Sequence, residues 1–176
     1  MPRAAGALLL GLALLVLVAV IVLPSSPKAF GGTTVSAEAA ATPRLRFQQL
    51  VDLVSAAVDR GNTATARELS QQALTTFEQI PPDERDVDSR YHAAMLRAVA
   101  GDGAGALADA DSILATAPGN LLGYYVRGVV ARLRKDSIGA RTADADFTAR
   151  YRVEMAKARP EYIEHRQLLE AFLRQP

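Results

Sequence analysis

Apolar residues follow two patterns along this chain, and the change between them divides it. Residues 4–23 read AAGALLLGLALLVLVAVIVL, a run without one charge. At ~1.5 Å per residue such a helix reaches about 30 Å, the hydrocarbon thickness of a bilayer. From residue 43 onward apolar positions recur at three- and four-residue spacing, the period of helices with one buried face. The stretch between, PSSPKAFGGTTVSAEAAAT, keeps neither period and is rich in Pro, Gly, Ser, Thr and Ala. The pattern predicts a transmembrane signal anchor over residues 1–23 and a flexible linker over 24–43, which as a loose coil spans ~25 Å. Residues 44–176 then form a folded all-α domain.

Start and stop signals place the helices. Thr42 as N-cap and Pro43 at the first helical position open the first, with Phe47, Leu50, Val51, Val54 and Val58 on its apolar side and Gly61 ending it. Asn62 or Thr63 caps a second, carrying Ala66, Leu69, Ala73, Leu74 and Phe77 and stopped by Pro81-Pro82. Asp88-Ser89 starts a third, ended by Gly101. Asp102 starts a fourth, with Ala106, Leu107, Ala110, Ile113 and Leu114 inward, ended by Pro118-Gly119-Asn120. A fifth covers 121–135 and a sixth extends from near Asp136 as far as Ala158. Pro160 begins a seventh, with Ile163, Leu168, Leu169 and Phe172 as docking residues. No strand pattern competes.

Helix pairs repeat at a fixed pitch. Tyr91 and Tyr125 are 34 residues apart, as are Val99 and Leu133, Asp102 and Asp136, and Ala106 and Ala140. A DADA-like echo, 108–111 and 143–146, is out of step by one residue and is set aside. Thirty-four residues is the tetratricopeptide period. The stretch GDGAGALADADSILATAPGN, residues 101–120, resembles the second half of a tetratricopeptide repeat: a glycine turn, an aspartate, a small residue at Ala106 and a closing Pro118. The resemblance covers about residues 45–158. Departures are visible: Arg90 stands where an early aromatic is usual, Lys135 takes the turn glycine's place, Asp144 replaces an aromatic, and the first repeat carries extra residues around 79–86. Ala94 and Gly128 fit the family's small position. The resemblance implies about three antiparallel helix pairs in a short solenoid, with the last helix as a cap.

It also implies a binding surface. In that family the first helix of each repeat lines a concave face; carried onto repeats beginning at Val87 and Leu121, those positions are Asp88, Tyr91, Met95, Ala98, Leu122, Tyr125, Val129 and Arg132. This set is mostly apolar and lacks a cluster of Lys and Arg able to clamp a terminal carboxylate. A helix or an extended apolar segment of another protein is the expected partner. The other reading of these residues, core or cover for the last helix folding back, stays open.

Charge and chemistry narrow the function by exclusion. The formal net charge of +1 argues against a general nucleic-acid binder. Acidic residues outnumber basic ones eleven to five over 47–126, and basic outnumber acidic eleven to seven over 127–176, so the domain is dipolar. There is no cysteine, no Gly-rich phosphate loop and no H-E-x-x-H motif. Glu161 and His165 share one helix face, a spacing more typical of a helical ion pair than of a metal site. Asp109 and Asp111, two apart on a helix, point in different directions and make no carboxylate dyad. No enzyme activity, metal, cofactor or small-molecule substrate is expected.

The expected partners are other proteins, with the bilayer contacted through residues 4–23. An uncleaved anchor is favoured over a signal peptide because the apolar run exceeds the ~7 to 15 residues of a signal core; the small-residue pattern at Ala37-Glu38-Ala39 lies well beyond Leu23. Arg3 precedes the run, while Lys28, Arg44 and Arg46 follow it, so charge hardly decides orientation; the signal-anchor arrangement, N-terminus cytoplasmic and domain extracytoplasmic, is expected. Two functions fit: a membrane-anchored scaffold or assembly factor for a membrane protein complex, and a permanent accessory subunit of a respiratory, photosynthetic or cytochrome-maturation assembly.

Overall fold

A computed structural model describes residues 42–174. The expected anchor and all but the last two residues of the expected linker lie outside them. Among the described residues there are eight α-helices and no strand, and no helix is long and apolar enough to cross a membrane. They are α1 (Pro43–Asp59), α2 (Thr63–Glu78), α3 (Val87–Ala100), α4 (Gly103–Thr116), α5 (Leu121–Leu133), α6 (Ser137–Met155), α7 (Pro160–Glu164) and α8 (Arg166–Leu173).

One turn is used three times. Gly61, Gly101 and Lys135 each take a left-handed backbone, φ 68°, 91° and 58°. After each, the next residue's N–H reaches back to close the helix: Asn62 to the Ala57 carbonyl, Asp102 to Arg97 and Asp136 to Ala131, at 2.9, 2.8 and 2.8 Å. The same residue then caps the helix that follows. Asn62 accepts from the Thr65 N–H, Asp102 from Gly105 and Asp136 from Gly139. A left-handed residue followed by a capping side chain thus folds α1 onto α2, α3 onto α4, and α5 onto α6, and each of these pairs packs closely.

The connections between pairs end at Asp86 and Asn120, again 34 residues apart. Asp86 accepts from the Ser89 N–H and Asn120 from Leu122. The third helix therefore starts at Asp86 rather than at Asp88-Ser89: a cap must sit where its oxygen meets an N–H two or three residues on, and Asp88 is already inside the first turn. Eight residues, including a single 3-10 turn Pro82–Glu84, separate α2 from α3, against four between α4 and α5. The first repeat's extra length is partly there.

Two apolar clusters hold the pairs together. Phe47, Val54, Phe77 and Ile80 meet Ala93 and Leu96 on one side of α3, and Tyr91, Ala94 and Met95 on its other side join α4 to α8. Helix α3 neighbours both α1 and α5, so it is shared by both clusters. Ala106 is fully buried and Ala108 exposed, as the small packing position requires. Arginines add a second fastening: Arg97 donates to Asp109 at 2.8 Å and Arg132 to Asp144 at 2.7 Å, each twelve residues on and across its own hairpin.

The C-terminal segment departs from the expected single helix. It breaks at His165 into two short helices, α7 and α8. Leu168, Leu169 and Phe172 are buried, but Ile163 is 58% exposed and docks on nothing. Tyr162 takes the inward face of the five-residue α7, and Ile163, one residue on, faces outward.

Candidate functional site

The inner faces of α3 and α5 lie side by side, and the 34-residue offset sets Tyr91 against Tyr125 edge to face, with ring centroids 6.1 Å apart. The two halves of this surface have different fates. The C-terminal segment covers the start of α3 and the inner face of α5 as far as Arg132. Phe172 of α8 meets Tyr125 at 5.0 Å and Phe147 of α6 at 4.7 Å, both edge to face. A Cβ on Gly128 would stand 2.7 Å from the Phe172 ring, so the small residue there is what lets α8 approach. The Arg132 guanidinium lies over the same ring at 5.1 Å while donating to Asp144.

Polar contacts seat α7. Tyr162 is buried; its hydroxyl accepts from the Leu121 N–H at 3.1 Å and donates to the buried Glu154 carboxylate at 3.0 Å. Glu161 accepts from the Asn120 amide at 3.2 Å. These bonds tie the start of α7 to the start of α5 and to the end of α6.

Beside them the chain's two histidines converge. His165 Nε2 is 2.7 Å from Asp88 Oδ1, and His92 Nε2 is 3.6 Å from Asp88 Oδ2. The imidazole rings are 5.3 Å apart, and Tyr91 packs edge-on against His165 at 4.7 Å. Burial pushes His92 down to about 4, with Asp88 opposing and His165 adding to the fall, so its ring is neutral at pH 7. Burial alone would raise Asp88, but the His165 hydrogen bond and the neighbouring imidazoles bring its carboxyl below the ordinary range.

Five of the eight residues expected on a concave binding face are interior, and a sixth, Asp88, is half-buried. Tyr91, Met95, Leu122, Tyr125 and Val129 are buried, and Asp88 faces His165. Tyr125 is only 3% exposed, so a partner could reach it only by displacing α8. Arg132 is engaged by Asp144 and Phe172. Ala98 alone keeps a half-open position without such a cover. The pairing of Glu161 with His165 gives way to Asn120–Glu161 and Asp88–His165, because the helix break at His165 turns its ring toward α3.

The other half of the surface stays accessible. Beside that cover, the C-terminal ends of α3 and α5 and the turn into α4 line a depression of about 510 Å³. Met95, Ala98, Val99, Val129 and Leu133 give it an apolar lining, and Arg67, Asp102 and Arg134 are its charged residues. Leu133 is 46% exposed. Comparison of the chain with protein-family models, with curated proteins and with solved structures finds no match.

Proposed function

We propose that this chain is a membrane-anchored protein-interaction module of tetratricopeptide type, acting as a scaffold or assembly factor for a membrane protein complex. The observation that carries the reading is the half-filled groove: an apolar, concave surface between α3 and α5, capped at one end and open at the other. The open end suits an apolar side chain or helix turn of a partner, with acidic residues beside it to meet Arg67 and Arg134. The uncharged run of residues 4–23 supports the tether, and the linker lets the domain stand off the bilayer. In this reading the N-terminus is cytoplasmic and the domain extracytoplasmic.

Affinity purification of the full chain from native membranes, beside Leu133→Asp, tests it. A charge in the apolar lining should abolish capture of a specific companion while the melting temperature stays near wild type, because Leu133 is half-exposed. Equal capture by both proteins overturns the groove as the docking site. The second reading, a permanent accessory subunit, is favoured by one observation: Ile138 and Val153 on α6 are 70% and 67% exposed and do not line the depression. It predicts a stoichiometric companion that survives size exclusion, is retained by Leu133→Asp and is lost in Ile138→Asp.

A further inference from the structure

His92 and His165 are the only histidines in the chain, and they lie 73 residues apart in sequence. The fold nevertheless aims the Nε2 of each at a different oxygen of one carboxylate. We propose that Asp88, His92 and His165 bind a divalent late transition-metal ion, zinc being the expected occupant, and that the ion clips the C-terminal helices to α3.

Geometry supports this in three ways. Asp88 and His92 are four apart on α3, so one helix face presents both donors without any loop having to order. His165 comes from the α7–α8 junction, and the helix break is what swings its ring into reach. The three donor atoms all lie within 4.8 Å of one another. Zinc bonds of ~2.0–2.1 Å in a tetrahedral site need donors about 3.3 Å apart. The present Asp88–His165 and Asp88–His92 separations, 2.7 and 3.6 Å, bracket that spacing, and on binding the Asp88–His165 hydrogen bond would be exchanged for two metal bonds.

The donor set selects the ion. Two imidazole nitrogens and one carboxylate oxygen suit zinc and its late first-row neighbours, whereas calcium and magnesium take oxygen ligands. Three protein donors leave a fourth position for water. The site has a route to solvent, since the Asp88 and His92 side chains keep 28% and 19% of their surface exposed while His165 is buried behind them. The function of such an ion would be structural. Bound to α3 and to the α7–α8 junction together, it stabilises the covered end of the groove by an amount that grows with the logarithm of its concentration over its Kd.

The test uses the full chain without a polyhistidine tag, purified in mild detergent, stripped with chelator and titrated with zinc by calorimetry. One saturable site per chain, with a rise in melting temperature, is expected. Cobalt(II) should give the visible absorption of a four-coordinate site. Altering even groups that merely support metal ligands typically weakens a site by ~10- to 100-fold, so His92→Gln and His165→Gln should each weaken binding by at least about tenfold and bleach the cobalt bands. His92→Gln leaves the Asp88–His165 hydrogen bond in place, so it carries the test even if His165→Gln fails to fold. No saturable uptake by the wild-type chain, or equal titrations of wild type and His92→Gln, overturns the proposal.

Discussion

The two ends of the α3–α5 surface occupy equivalent places in the helix pairs and end up as different environments. At one end Tyr91 and Tyr125 are sealed beneath Phe172 and the Asp88–His165 contact; at the other, Ala98 and Leu133 border an open depression. Position in a repeat decides which residues face inward. Whether an inward residue meets solvent depends on what the rest of the chain lays over it: α8 lies over Tyr125, Gly128 and Arg132 and leaves Leu133 half-exposed. The covered end uses aromatic rings and buried polar contacts, which are expensive to disturb. The open end uses small and aliphatic side chains.

Substitutions can break that contrast, the largest effect first. Tyr125→Ala should cost about 3–5 kcal/mol in chemical denaturation, the range for deleting a large core ring. In combination with Phe172→Ala the losses should be sub-additive by roughly 0.5–1.5 kcal/mol, the worth of an aromatic pair. Near-native stability for Tyr125→Ala would mean that α8 does not cover the surface in solution.

Glu154→Gln should cost about 2 kcal/mol, because the buried carboxylate accepts from Tyr162 and pairs with Lys157, and charged hydrogen bonds are worth roughly 1.5–3 kcal/mol. Hydrogen exchange should then quicken in α7 and α8 while α1 and α2 stay protected. Uniform loss of protection would show that the cover and the hairpins fold as one unit.

Ala106→Leu should cost roughly 1–3 kcal/mol by overpacking. Ala108→Leu, on the exposed face of the same helix, should change stability by less than about 0.5 kcal/mol. Equal melting temperatures would remove Ala106 from the close-packed position. The smallest effect is a gain: Lys135→Gly relieves a left-handed backbone that costs a side chain ~1–2 kcal/mol, less the greater freedom of glycine when unfolded. A net rise of up to about 1 kcal/mol is expected. A loss would indicate that the Lys135 side chain holds the turn.

Much of the local structure was legible. Gly61 and Gly101 as helix ends, Asn62 and Asp102 as caps, and Pro43 and Pro160 at first positions follow from backbone chemistry that neighbouring residues carry themselves. The start of α3 was misread because Asp86 and Asp88 are both good caps, and only the N–H each can reach separates them. The DADA echo, discarded for being out of step by one, hides a matched pair of contacts, Arg97–Asp109 and Arg132–Asp144. Its period of 35 was misleading only when the aspartates were considered without their arginines.

What the sequence determined by itself is the succession of helices, their caps and turns, and which face of each is apolar, because those properties depend on residues within a turn or two of one another. What only the tertiary structure decided is which apolar face remains open. Tyr91 and Tyr125 have the composition of a binding surface and the burial of a core, and the difference lies in Phe172, 47 residues beyond Tyr125. The meeting of His92, Asp88 and His165 is of the same kind. Contacts between distant segments depend on where a chain break such as that at His165 directs the following helix, and no local period records that direction.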